Sequence, residues 1–326
     1  MLRVYGPNCD GRVIEAAKGE LIPNDATWID LEKPTREEDK LVEQCVQVQV
    51  PTREDMSEIE PSSRLREQNG ALYLTISALY GLEDGQPKSD PITFVLTRDR
   101  LVTVRYVTPK PVRAFEQNAR RDPSLVADAP TAFGNLLDAI VDRLADELEA
   151  VGREFEKISA HIFAKSTDAR RIPADRLTAL LTRIGRAQTL LAKIRETSVS
   201  TSRLLGFLAN STPLKAADKA GVRDRIASLS NDVHSLVEYS SFLGDNFMFV
   251  LDAALGLISI EQNAAMKVFS WVAVVLMPPT LLAGIWGMNF KHMPELAWID
   301  GYPIALVSIA LSAVLPFWIL KHFDWI

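Results

Sequence analysis

The 326 residues include 36 basic and 42 acidic side chains, giving a net charge of −6, with 47% apolar and 24% charged residues. That acidic balance, without a basic stripe interleaved with aromatics, argues against a nucleic-acid partner. Cys9 and Cys45 match no metal-ligand spacing and suit a reducing compartment, and His161, His234, His292 and His322 are too scattered for a soft-metal site.

Residues 1–125 mix short strand-like runs with turns and charged helical patches. Ala26–Glu32 (ATWIDLE) and Ala71–Gly81 (ALYLTISALYG) are rich in β-branched and aromatic residues. ITFVLT-RDR-LVTVRYV reads as a hairpin turning at Arg98-Asp99-Arg100. PTREEDKLVEQC and PTREDMSEIE each open with Pro-Thr followed by acids, a helix-start pattern. An α/β domain with a mixed sheet is predicted.

From Pro130 the chain turns helical. Phe133, Leu136, Leu137, Ile140, Leu144, Leu148, Val151, Phe155 and Ile158 recur at three- and four-residue steps, with acids and arginines between them. IPADRLTALLTRIGRAQTLLAKI continues the pattern after a break near Ser166, and STPLKAADK opens a further helix near Ser211. From Leu214 to Phe290 the only obvious interruption is Pro278-Pro279. Read as one helix, this stretch has about 77 residues and runs about 115 Å, which requires partners.

Val268–Met288 and Pro303–Leu320 contain no charged side chain. As helices they extend about 31 Å and about 27 Å, against a hydrocarbon core of about 30 Å. Both are long enough to span. They lie at the far end of the chain, and Met1 opens directly into polar sequence, so neither reads as a signal peptide. A helical hairpin buried in a soluble core would rarely lose all charge over so many residues.

Stepping back from Gly287 by alternating threes and fours meets Gly284, Thr280, Met277, Ala273, Ser270, Met266, Asn263, Ser259, Gly256, Asp252, Phe249 and Asp245. Within the span this seam is small, polar or Met, while its flanks are large and apolar. The period of about 3.5 keeps one face towards a common axis when parallel helices associate. Small residues could simply allow close helix packing. Asn263 and Asp252 favour a pore instead, because close packing needs neither an amide nor a carboxylate and a charge there marks an ion path.

Gly287-Met288-Asn289 closes the first span, a short loop carries MPEL (Met293–Leu296), and GYP (Gly301–Pro303) opens the second. In these features the chain resembles the CorA family of magnesium transporters. The resemblance extends through MKVFSWVAVVLMPPTLLAGIWGMNF, the long preceding helix and the amino-terminal domain. It implies a funnel-shaped homopentamer in the lipid bilayer of the inner (plasma) membrane, multi-pass, with both termini cytoplasmic. Residues 1–125 would form a cytosolic α/β domain and 126–266 a cytosolic long-helix region. Residues 267–290 would be the pore-lining transmembrane helix, 291–302 an extracytoplasmic loop, and 303–326 an outer transmembrane helix with a short cytosolic tail. The bias of basic residues is thin, with Lys267 and Lys321 inside and Lys291 outside. Trp286 stands where the family typically has Tyr, Phe269 where a Leu commonly helps close the pore, and the tail KHFDWI lacks a run of lysines. The family's cytosolic regulatory acids do not map cleanly onto this chain.

On that resemblance Gly287, Met288 and Asn289 form a selectivity filter. Mg²⁺ gives up its waters reluctantly, so five Asn289 amides beside the Gly287 backbone would accept hydrogen bonds from metal-bound water. Asn263, Met266, Ser270, Ala273, Met277, Thr280 and Gly284 are the expected pore lining. Met266, Phe269 and Met277 would gate it by dewetting. Glu295 would attract cations at the outer loop, and Asp252 and Asp245 are candidates for a regulatory Mg²⁺ site. The expected function is Mg²⁺ influx, with Co²⁺ and Ni²⁺ as further divalent substrates, gated by internal Mg²⁺. A zinc transporter of the same superfamily typically departs from Gly-Met-Asn and lacks MPEL. A membrane-anchored interaction module would not need the polar seam. No Walker loop, nucleophile elbow or His-rich motif points to an enzyme.

Overall fold

The computed structural model describes residues 1–58, 60–163, 174–211, 220–291, 293–294 and 298–322. The chain forms two compact units, Met1–Leu251 and Asp252–Ile326.

Among the described residues the first unit contains seven strands: β1 (Leu2–Gly6), β2 (Cys9–Ile14), β3 (Trp28–Glu32), β4 (Leu65–Gln68), β5 (Ala71–Tyr80), β6 (Lys88–Leu96) and β7 (Leu101–Arg105). They form one sheet in the order β2-β1-β3-β7-β6-β5-β4. β3 and β7 pair in parallel, and the other neighbours are antiparallel. The expected hairpin is present, with Leu96 opposite Leu101 and the turn closed by the Thr97 N–H donating to Arg100 O at 2.9 Å. Helix α1 (Arg36–Val46) and the short α2 (Arg53–Ser57) begin at Thr35 and Thr52. Each threonine hydroxyl accepts from the N–H three residues on, and the acid there reaches back to the threonine N–H. This reciprocal cap satisfies two end groups that water would otherwise have to serve.

Side chains alternate between the faces of a strand, and the two faces of this sheet differ. One buries Leu2, Val4, Ile29, Leu31, Val102 and Val104 with Val42 and Met56 from α1 and α2. The other carries charge. Arg3 stands opposite Asp30, Asp30 opposite Thr103, and Glu32 opposite Arg105. Arg105 is fully buried: its Nε and Nη2 donate to the Asp30 carboxylate at 3.0 and 2.8 Å, and Nη2 donates to Glu116 Oε1 at 2.7 Å. Glu116 comes from α4 (Lys110–Arg121), with α3 (Pro61–Arg64) lying between α2 and β4 in the chain. Trp28 extends this face, stacking on Tyr5 with centroids 4.3 Å apart and donating from Nε1 to Thr103 Oγ1 at 3.2 Å.

Three long helices follow: α5 (Ala129–Phe163), α6 (Ala174–Asn210) and α7 (Ala220–Trp286). The predicted stripe on α5 is buried at Phe133, Leu136, Leu137, Ile140, Leu144, Leu148, Val151 and Ile158, while Phe155 is half-buried against Phe247 of α7. Residues 212–219, over which the sequence begins the last long helix, lie outside the described residues. That helix ends at Trp286 rather than Phe290, because Gly287 and Asn289 are poor helix formers.

The second unit holds the end of α7 and a further helix, α8 (Gly301–His322). Both helices are long and apolar enough to cross a membrane, and neither apolar segment is buried within the chain. That exposure argues against a soluble-core hairpin. Half-buried positions recur at Trp271, Val275, Pro278, Leu282 and Trp286 of α7, and at Ala305, Ser308, Ser312, Pro316 and Leu320 of α8. These are the spacings of one stripe on each helix. Pro278, Pro279 and Pro316 each remove the N–H that would bond four residues back.

Candidate cation pathway

The last turn of α7 is closed by its own backbone, with Gly287 N–H donating to Ala283 O at 3.0 Å and Met288 N–H to Ile285 O at 3.2 Å. Asn289 follows in non-helical backbone with its side chain exposed. A Cβ on Gly287 would lie 3.1 Å from Ala283 O, whereas one on Gly284 would meet nothing within 4 Å. Gly287 is not among the positive-φ residues, so a left-handed backbone is not the reason for glycine there.

Asn263, Met266, Ser270, Ala273, Met277, Thr280 and Gly284 are all exposed. Ala273, Met277, Thr280 and Gly284 come together in one open groove of about 700 Å³, flanked by Leu276, Leu281, Ile285 and Met288. The seam's hydroxyls are satisfied locally: Ser270 Oγ donates to Met266 O at 2.9 Å and Thr280 Oγ1 to Leu276 O at 2.7 Å. Their donors therefore need no partner from outside the helix, and the oxygens remain able to accept. Met266, Met277 and Phe269 are 65%, 68% and 73% exposed, so the described residues leave these bulky groups largely uncovered.

Glu295 lies outside the described residues. Asp252 is exposed at the start of the second unit. Asp245 belongs to the first unit, where it lines an open cleft with Arg195, Arg203 and Glu196. Among the described residues no three His, Cys, Asp or Glu side chains are placed to hold a metal. Sequence reasoning passed over a group of acids in the first unit: burial and then Asp138, Asp146 and Asp232 raise the carboxyl pKa of Asp142. The i, i+4 spacing of Asp138, Asp142 and Asp146 was a legible signal, but the approach of Asp232 from α7 was not. The buried Arg105 network was also missed, although Asp30 and Arg105 each interrupt an apolar strand.

The family model described as CorA-like Mg²⁺ transporter protein matches residues 23–322. The chain is 31% identical over 317 residues to the magnesium transport protein CorA of Pasteurella multocida, covering 97% of this chain and 96% of that one. It is 30% identical over 304 residues to that of Salmonella typhimurium, covering 93% and 92%. Among solved structures, the complete CorA magnesium transporter from Methanocaldococcus jannaschii superposes with a TM-score of 0.77 at 18% identity, covering 100% of this chain and 98% of that one. With the sheet domain, the long helices and the two apolar C-terminal helices, these likenesses show that the chain belongs to the CorA-like Mg²⁺ transporter family.

Proposed function

We propose that this chain assembles as a homopentamer that admits Mg²⁺ through a pore lined by α7, with α8 outside it and both termini in the cytosol. The carrying observation is the end of α7, where an exposed Asn289 stands two residues beyond Gly287 at the head of an exposed seam of small, polar and methionine residues. Relatives at 30–31% identity bear the name magnesium transport protein, and the seam and Gly-Met-Asn give this chain the means for the same cargo. Mg²⁺ holds its waters tightly, so the first contact is an outer-sphere one. Five amide oxygens accept hydrogen bonds from the ion's water shell without the charge that would trap it. Met266, Phe269 and Met277 constrict the dry part of the path, and Glu295 adds negative potential at its outer mouth. Co²⁺ and Ni²⁺ hydrates, presenting the same donors, compete for the ring. The membrane potential supplies the drive, worth about 2.3 kcal/mol per elementary charge per 100 mV.

The test is uptake of Mg²⁺, Co²⁺ and Ni²⁺ by liposomes holding the purified protein and Asn289→Ala. Each hydrogen bond to a charged, polarised partner is worth roughly 1.5–3 kcal/mol, so losing the ring should abolish measurable flux. Asn289 sits past the helix end and exposed, so gel filtration should find the variant still pentameric. Wild-type flux through an intact Asn289→Ala pentamer would refute the filter.

A further inference from the structure

Within the first unit α7 is held between α5 and α6, and these two flanks carry opposite charge that the chain does not use. On one side Arg225 pairs with Asp138 of α5, a Cβ on Gly152 would stand 2.8 Å from the Tyr239 hydroxyl, and Phe247 meets Phe155 edge-on with centroids 5.2 Å apart. On the other, Leu191 of α6 lies against Gly244, and Gln188 Nε2 donates to Met248 Sδ at 3.3 Å.

The α5 flank is acidic. Arg225 neutralises Asp138, but Asp142, Asp146 and Asp232 are exposed and pair with no base among the described residues. Beside them Tyr239 and Phe242 stack with centroids 6.1 Å apart and remain 43% and 59% exposed. The α6 flank is basic. Arg64, Arg195 and Arg203 line an open cleft of about 950 Å³. Arg64 is engaged by Glu58 O and Ser77 Oγ, and Glu196 on the same wall is held by Lys193 and Ser89. Arg195 and Arg203 are exposed and have no partner among the described residues, although Asp245 shares the cleft.

Both flanks can be measured along α7. Asp232 belongs to it, and Asp142 lies close enough to feel its charge. Because α6 runs antiparallel with Leu191 at Gly244, Arg203 lies as far beyond Leu191 as Asp232 lies before Gly244, about 18 Å in each helix. Arg203 therefore stands level with Asp232. Tyr239 and Phe242 come from the same stretch of α7 as Ser240, Gly244 and Met248, which wall the cleft, so they stand at its height. In a ring whose axis α7 follows, symmetry repeats every residue at one height, and the α5 flank of each chain faces the α6 flank of the next.

We propose that Arg195 and Arg203 of one copy dock against Asp142, Asp146 and Asp232 of the next, with Tyr239 and Phe242 entering the cleft. The contact is heterologous, so it repeats in one direction around the ring and fixes the register of neighbouring chains. A second copy is the partner because one sequence supplies both charges at matching height, whereas a foreign protein would cover one flank and leave the other bare. The inference rests on the ring assembly proposed above, and not on the filter or on the ion conducted.

The experiment joins cross-linking to charge reversal in the full-length protein in mild detergent. Chains carrying Asp232→Cys and chains carrying Arg203→Cys are co-expressed and treated with a short bis-maleimide, with each singly substituted protein as a control; Cys9 is buried and Cys45 half-buried. A cross-linked chain pair should form in the co-expressed sample and in neither control. Arg195→Glu/Arg203→Glu and Asp142→Lys/Asp146→Lys should each raise the protein concentration at which the oligomer dissociates, read by native mass spectrometry, by roughly tenfold or more. Combining the four substitutions should recover most of that loss, and the effect of each reversal should shrink with added salt. Circular dichroism checks that the variants keep their fold. An intact wild-type oligomer that gives no specific cross-link, or whose dissociation neither reversal moves, would overturn this interface and leave the assembly standing. A monomeric wild-type protein would overturn both.

Discussion

Arg105→Met tests how the sheet domain is held together. The substitution keeps an unbranched chain in the space and removes a guanidinium that donates to Asp30 through two atoms, to Glu116, to Thr108 Oγ1 and to Val107 O. Although burial opposes its charge, Asp30 and Glu116 raise its pKa above the ordinary value. What the methionine leaves behind decides the cost. Asp30 is fully buried and would keep only the Thr103 hydroxyl, 2.5 Å away. Glu116, whose pKa is already raised by burial and by Asp30, can take up a proton. Removing one partner of a buried pair costs about 3–5 kcal/mol, a large share of a typical domain stability of about 5–15 kcal/mol. At about 1.4 kcal/mol per power of ten, amide protection in β3 and β7 should fall by roughly two to nearly four powers of ten in hydrogen exchange of the full chain. Adding Asp30→Asn should restore part of the loss, because the stranded charge goes with it. Protection in Arg105→Met within about threefold of wild type would show that the network contributes little and that the reasoning is wrong.

Two further outcomes follow. Glu32 is pushed upward by burial, but the Thr108 hydroxyl and then Arg105 and Arg3 outweigh this and hold its pKa below the ordinary 4.5. A depressed carboxylate stabilises the fold above its unfolded pKa and loses that contribution as pH falls through the folded value, so Glu32→Gln should flatten the acid-side fall in melting temperature below 4.5; parallel curves for the two proteins would contradict it. If Asp252 serves the regulatory Mg²⁺ site expected from the sequence, Asp252→Asn would remove five carboxylates from a homopentamer and should weaken inhibition of uptake by internal Mg²⁺ by about tenfold or more, while an unchanged response would shift the assignment to Asp245 or to Glu83 and Asp84.

What the sequence disclosed was local. Thr35 followed by Glu38 caps α1 because both partners lie within one turn, and the hairpin at Arg98–Arg100 needs only adjacent strands. The two spans needed only the absence of charge. The pairing of β3 with β7 was not legible, since about seventy residues separate Asp30 from its partner Thr103. Neither was β4, whose Leu-Arg-Glu-Gln has no apolar alternation because it lies at the sheet edge beside β5 alone. Asp30 and Arg105 looked like breaks in apolar strands, and only the sheet register shows that they answer each other. The proposed pathway divides in the same way. Gly-Met-Asn and the seam are patterns within one helix, whereas the ring they would build needs other copies of the chain, and no single-chain periodicity specifies how many.

Gly287→Ala separates a structural role for Gly-Met-Asn from a conducting one. If Gly287 served the fold, its use would be a left-handed helix cap, where alanine is strained. Its φ lies outside the positive region, so that use is excluded. The remaining local cost is a Cβ 3.1 Å from Ala283 O, a close contact that a shift of a few tenths of an ångström at the open end of α7 relieves. Against it, alanine gives up less backbone freedom on folding than glycine. The balance should change stability by less than about 1 kcal/mol in either direction. In the proposed filter the same methyl appears five times around the axis, beside the amides that face the hydrated ion, and narrows the mouth where the ion must pass with its water shell. Magnesium uptake into liposomes should therefore fall by about tenfold or more while the melting temperature moves by only a few degrees. A variant that conducts like wild type would show that the missing side chain matters to neither fold nor flux. A variant that loses flux only because it melts early would return the motif to a structural turn.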